Sequence, residues 1–324
     1  TAPVDAGTDL VVRNLLDGKE KIFANVLEYY FSKKGEKLLI EQAKNPKDSL
    51  SKPAVLLYDL KNSKEIVLSK GGNDFKNFVI AEDGSQAAYV AERDAKPKDL
   101  QKFYKLWHYK AGMDSAALLA DKNSVGMKLG MTVSEYGNLN FSKSGKRLFF
   151  GTAPVPAPKD TSIIEIDMPK LDIWHYNDDY LQTVQNYAAR LRNAQQENFL
   201  AVYDLDKKII NQLGSAAIPL VYQTNEGDGD QFVGITDVGK RIESQWRGNT
   251  LKDIYAINVN DGSKKLVKKD MEGFIPPQYI SPTGKYIMWY DSKARNYFTW
   301  DGAAVKNITE KIKVPLWDEE HDSP

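Results

Sequence analysis

The chain has 324 residues, with 44 basic and 44 acidic side chains and a formal net charge of zero. A general nucleic-acid binder needs a basic footprint, so that class is excluded. A 42% hydrophobic fraction supports a full core and rules out disorder of the whole chain, and the absence of cysteine removes disulfide staples, thiolate metal sites and a cysteine nucleophile.

The N-terminal TAPVDAGTDL has neither a basic n-region nor an apolar h-region, so no signal peptide is expected. No apolar run reaches 18 residues, so no membrane span is expected. DLVVRNLLDGKEKIF (9–23) resembles the outer hairpin of a four-stranded unit whose inner hairpin is missing. FSKKGEKLLI (31–40) then opens a series of echoes: IAEDGSQAAYV (80–90), FSKSGKRLFF (141–150), ITDVGKRIE (235–243) and ISPTGKYIMW (280–289). They align on Gly35, Gly84, Gly145, Gly239 and Gly284. Each reads as strand, tight turn, strand, with glycine supplying the positive φ of a hairpin turn.

A second hairpin follows each echo. VLLYDLKNSKEIVLS (55–69), FLAVYDLDKKIINQLG (199–214) and DIYAINVNDGSKKLVKK (253–269) are clear, and 104–120 and 297–309 are looser copies. The repeating unit is therefore four antiparallel strands. Repeats of this length with four strands each predict an all-β β-propeller of about five blades plus a partial one. A β-sandwich of many short strands is the competing architecture. The chain is expected to be a single domain over 1–324, the N-terminal part of a longer protein. The second unit gains residues around 94–102 and 121–136. The third carries an insertion over 154–198, beginning with the proline-rich PVPAPKDTS. Asp178 and Asp179 suit a helix N-cap and first turn. Tyr180, Leu181, Val184, Tyr187, Ala188 and Leu191 follow at helical spacing, which predicts one amphipathic helix near 178–196, packed on its own blade.

Little in the chain carries chemistry. The histidines are His108, His175 and His321. His108 and His175 share a Trp-His-Tyr pattern, at 107–109 and 174–176, and both are expected in mid-strand with structural roles. No metal-ligand spacing is present. No GxSxG, GxGxxG or GxxxxGK[ST] occurs, so the sequence offers no catalytic, cofactor-binding or metal-binding residues and no cofactor is expected. NEGDGDQF (225–232) faintly resembles a calcium loop but lacks its closing glutamate, and is read as an acidic turn between blades. Glu319 and Glu320 could meet a cation, and a solvated tail is the plainer reading. Trp107, Trp174, Trp246, Trp289, Trp300 and Trp317 are mostly assigned to blade cores and inter-blade packing.

The recurring FSKSGKRLFF and ISPTGKYIMW resemble the "FSPDGK-hydrophobic" strands of propellers in prolyl oligopeptidase and dipeptidyl peptidase IV-like serine peptidases. LDIWHYNDDYLQTVQ (171–185) is similar to a segment of Bacteroidetes-type envelope peptidases of that family, and VLEYYFSKKGEKLLIE (26–41) and VPLWDEEHDSP (314–324) also look like them. The resemblance implies a parent with a C-terminal α/β-hydrolase domain carrying Ser, Asp and His, as partner to this propeller. It implies peptide substrates and a periplasmic or secreted location. The propeller would gate and position peptides rather than break bonds. None of the family's catalytic residues falls in this chain, and its substrate-anchoring glutamate pair has no match here. The alternative is a stand-alone TolB-like propeller that binds a protein partner, or a propeller binding a glycan or other ligand on its axis.

Overall fold

The structure is a computed structural model that describes residues 6–158, 161–162, 164, 171 and 173–317. The chain is all-β, with only short helical segments. Five antiparallel sheets follow one another along the sequence. The first contains β1 (Thr8–Arg13), β2 (Glu20–Phe31), β3 (Lys37–Gln42), β4 (Ala54–Asp59) and β5 (Lys64–Lys70). The second contains β6 (Asp74–Ile80), β7 (Gln86–Glu92), β8 (Lys105–Lys110) and β9 (Ala117–Ala120). The third contains β10 (Met131–Val133), β11 (Asn140–Phe141), β12 (Arg147–Pro154), β13 (Phe199–Asp204) and β14 (Ile209–Gln212), with β10 and β11 both paired to β12 as one interrupted strand. The fourth contains β15 (Leu220–Tyr222), β16 (Gln231–Thr236), β17 (Lys252–Asn258) and β18 (Lys264–Met271). The fifth contains β19 (Gly273–Phe274), β20 (Ile287–Asp291), β21 (Asn296–Trp300) and β22 (Val305–Asn307). Contacts divide the chain into two compact units, residues 1–161 with 203–210, and residues 162–202 with 211–324.

The expected four-strand meander is present in every sheet. The segment 9–23 is not a separate partial unit. It forms β1 and the start of β2, and so adds a fifth strand to the first sheet. Asn25 takes a φ of 56° inside β2 and bends it. Its first half pairs with β1 and its second half with β3. The hairpin thereby lays Leu10, Val12, Phe23 and Val26 against Leu38, Ile40, Leu56 and Tyr58, covering the outer face of the first sheet. Hydrophobic residues that would need an unseen neighbour are buried by the chain's own N-terminal hairpin.

Four of the five echoes form one turn at one place, between the first and second strands of the four-strand meander, with β1 left aside in the first sheet. The amides of Gly35, Gly84, Gly145 and Gly284 each donate to the carbonyl three residues back, all at 2.8 Å. Each glycine has φ between 69° and 73°. Two glutamines, Gln86 on β7 and Gln231 on β16, each reach the recurring turn of the following sheet. Gln86 Nε2 donates to the Gly145 carbonyl at 2.9 Å, and Gln231 Nε2 donates to the Gly284 carbonyl. A Cβ on Gly284 would lie 2.2 Å from the Gln231 carbonyl oxygen, so only glycine fits there.

Gly239 departs from this plan. It lies between β16 and β17, the second and third strands of the fourth sheet, in a connection that also holds α3 (Ser244–Arg247). The recurring position in that sheet is occupied by NEGDGD instead. That segment is a turn within one sheet, between β15 and β16, and not a turn between sheets. Thr224 closes it by donating from Oγ1 to the Gln231 carbonyl at 2.7 Å and accepting from the Gly227 amide at 2.9 Å.

The insertion also differs from expectation. It folds as α1 (Gln182–Gln185) and α2 (Ala188–Gln195), not as one helix over 178–196. Tyr187, with φ −64° and ψ 129°, breaks the run. The N-caps are Leu181 and Tyr187, neither with a side-chain cap bond. The carboxylates expected to cap are engaged elsewhere: Asp178 accepts from the His175 amide and from Gln185 Nε2, and Asp179 accepts from the Arg241 amide. No residue of α2 is buried, so its periodicity does not mark a packed face.

One core joins neighbouring sheets within each unit. Leu39, Val55, Leu57 and Leu68 pack on Phe75, Ala87, Tyr89 and Tyr109 in the first unit. Val233, Ile254 and Ala256 pack on Ile287, Trp289 and Trp300 in the second. β7 is buried along its whole length, as a strand covered on both faces must be. The recurring glycine turns span only 32–36, 81–85 and 142–146 in the first three sheets, whereas 275–286 separates β19 from β20. With β1 left aside, the connection between the second and third strands of the four-strand meander is long in four sheets: 43–53, 93–104, 155–198 and 237–251. In an up-and-down meander these long connections all leave the same end of their sheets.

Candidate functional site

In the first unit, the opening strands β2 and β6 adjoin, and β11 adjoins β6. Their exposed edges bring together charged and phenolic side chains that no motif announced. Glu28 on β2 stands directly opposite Glu41 on β3. Tyr30 donates from its hydroxyl to Glu28 Oε2 at 2.5 Å and stacks on Phe78, with ring centroids 5.6 Å apart. Glu41 is buried. Burial first, then the charges of Glu28 and Asp74, push its carboxyl up to about 8. Glu41 thus favours its protonated form opposite Glu28 at neutral pH.

The next opening strand supplies the cation. Lys76 Nζ lies 3.2 Å from Asp74 Oδ2 and also pairs with Glu135 in the loop between β10 and β11. Burial opposes the lysine's charge, but the hydrogen bond to Glu135 and the two carboxylate charges outweigh it and raise its pKa. Tyr104 donates to Asp74, and its phenol is pushed up by burial and by that carboxylate. Asn77, with φ 55°, donates from Nδ2 to the carbonyls of Glu135 at 2.7 Å and Gly137 at 3.0 Å. A cavity of about 400 Å³ opens beside this cluster, lined by Glu28, Tyr30, Lys76, Asn77 and Asn138 among others. It can offer hydrogen bonds and charge of both signs to a polar chain. It holds no nucleophile joined to a base.

The residues singled out in the sequence lie elsewhere. His108 sits on β8 as expected, buried, with Nε2 2.8 Å from Gln86 Oε1. Burial first, then the charge of Lys110, lowers its pKa to about 4. Through Gln86 it holds the Gly145 turn, a structural role. His175 is not in a strand. It lies in an exposed turn before α1, where Nδ1 accepts from the Asn177 amide at 3.1 Å. Neither histidine is bonded to a serine. His321, Glu319 and Glu320 lie outside the described residues. Among the described residues, no group of three or more acidic or histidine side chains is arranged to hold a metal, in 225–232 or elsewhere. Trp289 and Trp300 are core residues, and Trp107 packs against the first unit's core under Arg93. Trp174 and Trp246 are exposed, contrary to a packing role. The Glu28–Glu41 pair did have a signal in the sequence. An antiparallel hairpin about Gly35 that pairs Tyr30 with Leu39 also brings 28 near 41.

No family model matches the sequence, and no curated protein matches it. Solved structures do. Porphyromonas gingivalis dipeptidyl peptidase 4 aligns over 94% of this chain and 44% of its own, at 16% identity and a TM-score of 0.44. The β-propeller domain of the Trilobed protease from Pyrococcus furiosus aligns over 90% of this chain and 73% of its own, at 13% identity and a TM-score of 0.41. TolB from Acinetobacter baumannii aligns over 94% of this chain and 62% of its own, at 11% identity and a TM-score of 0.33. The chain thus spans less than half of the dipeptidyl peptidase it resembles and less than two thirds of TolB.

Proposed function

We propose that the chain is one β-propeller domain whose five sheets are its blades, and that it gates and positions peptides for a C-terminal α/β-hydrolase domain of a periplasmic or secreted serine peptidase. The observation that carries this reading is the cluster on the opening strands of the first unit. In a propeller those strands line the axis. Here they present Glu28, Tyr30 and Lys76, groups that can hydrogen-bond a polypeptide without fixing its sequence. The two described histidines are committed to Gln86 and to a local turn, so bond breaking is assigned to the partner domain. The FSPDGK-like strands and the LDIWHYNDDYLQTVQ segment support the peptidase parent.

The test is the natural gene product. It is expected to be far longer than 324 residues, to cleave fluorogenic aminopeptides, and to be blocked by a serine-directed phosphonate. In that product Lys76→Met is expected to raise KM several-fold for peptides of about ten residues and leave kcat for a dipeptide reporter unchanged. A natural product of this length without peptidase activity would sink the peptidase reading and leave a partner-binding propeller.

A further inference from the structure

In the second unit, Trp174, Tyr176 and Trp246 stand exposed around a cleft beside α3, and nothing in the structure shows what covers them. The N-terminal hairpin of the first unit is more specific, because its open edge prescribes a partner.

β1 ends the first sheet, and among the described residues no strand pairs with its far side. Such an edge offers a row of unpaired amides and carbonyls, which proteins blunt by keeping the strand short or by placing lysine on it. The outer strands of the sheets follow that rule. β9 and β14 have four residues and β22 has three, β5 carries Lys64 and Lys70, and β18 carries Lys264, Lys265, Lys268 and Lys269. β1, TDLVVR, is six residues long with neither lysine nor proline.

The register of the hairpin tells which backbone groups reach the edge. The Asn14 amide donates to the Lys19 carbonyl at 2.8 Å, so these two residues form a hydrogen-bonded pair. Bonded and non-bonded pairs alternate along an antiparallel ladder. Val12 with Lys21 and Leu10 with Phe23 are therefore bonded, and Arg13 with Glu20 and Val11 with Ile22 are not. The register shift between Thr8 and Leu10 adds its extra residue to β2, so β1 keeps the alternation through Asp9. The amides and carbonyls of Asp9, Val11 and Arg13 thus point away from β2, towards the open edge. The side chains of the same three residues are exposed.

These three positions are complementary to themselves. Two β1 strands laid antiparallel about a two-fold axis at Val11 place Asp9 opposite the partner's Arg13 at both ends, and Val11 opposite the partner's Val11. Every outward amide and carbonyl of the three residues then finds a partner. Moving the axis to Asp9 or Arg13 sets like charges face to face. Moving it to Leu10 or Val12 leaves a charged residue opposite Val11. Asp9 has no ion pair among the described residues, and Arg13 has a 3.6 Å contact with the exposed Glu20. The apolar surface agrees with this register. Val11 and Ile22 stand directly opposite each other and are 49% and 57% exposed. Pairing sets them beside their copies as one apolar stripe. On the other face Leu10 and Val12, half-buried against the first sheet, each gain a neighbour.

We propose that β1 is a self-association edge, through which two copies of this chain form one continuous antiparallel sheet centred on Val11 and held in register by Asp9 and Arg13. The proposal does not depend on the peptidase reading.

Sedimentation velocity of the 324-residue chain over a range of concentrations tests it. A dimer is expected with a dissociation constant of about 1–100 μM, because a single strand-to-strand contact is a small interface. Val11→Pro removes an outward amide and no bond to β2, and is expected to weaken the dimer by about tenfold or more. Asp9→Arg alone and Arg13→Asp alone each bring like charges together, and each is expected to weaken it by a similar factor. An equimolar mixture of these two charge variants sets opposite charges together at both ends and is expected to regain the dimer. Far-UV circular dichroism is expected to be unchanged in the charge variants, whose altered side chains are exposed. A parent chain that stays monomeric, a dimer indifferent to Val11→Pro, or a mixture no more associated than its components would each overturn the proposal. The first of these would leave the edge to a strand of a different protein.

Discussion

The cluster on β2 and β6 and the cleft beside α3 are both polar-aromatic sites, yet they are built on opposite terms. In the first, partners are supplied from within: Lys76 answers Asp74 and Glu135, Tyr104 answers Asp74, and Tyr30 answers Glu28. In the second, Trp174 and Trp246 face solvent and Gln182 Oε1 has no partner. The difference teaches where stability and where recognition reside. A self-paired cluster couples to folding and to pH. Exposed aromatic side chains such as Trp174 and Trp246 couple hardly to folding.

The largest expected effect follows from Glu41. Its folded-state pKa, about 8, lies above its ordinary value of 4.5, so the native state holds the proton more tightly than the unfolded chain. The stability linked to it is complete below pH 4.5 and is lost as pH rises through 8. His108 acts with the opposite sense. Its pKa of about 4 lies below its ordinary 6.5, so its contribution is complete above pH 6.5 and is lost as pH falls through 4. Between pH 4.5 and 6.5 the two slopes offset, and above 6.5 only the Glu41 loss continues. Urea unfolding at successive pH values is expected to show Glu41→Gln gaining on the parent chain between pH 6 and 9, by on the order of 3 kcal/mol. Parallel curves for the two proteins would break the paired-carboxylate reading.

Lys76→Met comes next. It leaves Asp74 and Glu135 facing each other without their cation, and the lysine is only partly shielded from water. A loss of about 1–2 kcal/mol is expected, between the ~1 of an exposed pair and the ~3–5 of a buried one. Lys76→Met with Glu135→Gln is expected to recover more than half of it. A double variant no more stable than the single one would show that Lys76 acts through packing on Tyr104 and Tyr136 rather than through charge.

The sheets were far more legible than the sites. Hairpin turns are written locally, so the glycines at 35, 84, 145 and 284 and their apolar flanks placed four inner turns correctly. Gly239 misled because GKR after a β-branched strand reads the same whether the chain returns at once or first makes a helical turn. The insertion misled because Tyr187 and Leu191 fall at helical spacing without a surface to cover. The leading segment was placed in the wrong role because nothing local says that Asn25 bends β2 back over its own sheet. The functional clusters depend on contacts between separate strands and loops. Lys76 meets Glu135 from 59 positions away, and Tyr180 meets Arg241 across the insertion. No spacing rule reaches that far.

The smallest effect is the one that separates the two regions. Trp246 belongs to α3, a single helical turn of which no residue is buried. Trp174 lies in a turn whose neighbours Ile173 and Tyr176 are exposed as well. Truncating either removes area that already faces water, so the unfolding free energy is expected to change by less than about 0.5 kcal/mol. A loss above about 2 kcal/mol in Trp246→Ala would place the indole in a packed interface. The exposed aromatics would then belong with the self-paired cluster, and the contrast between the two regions would collapse.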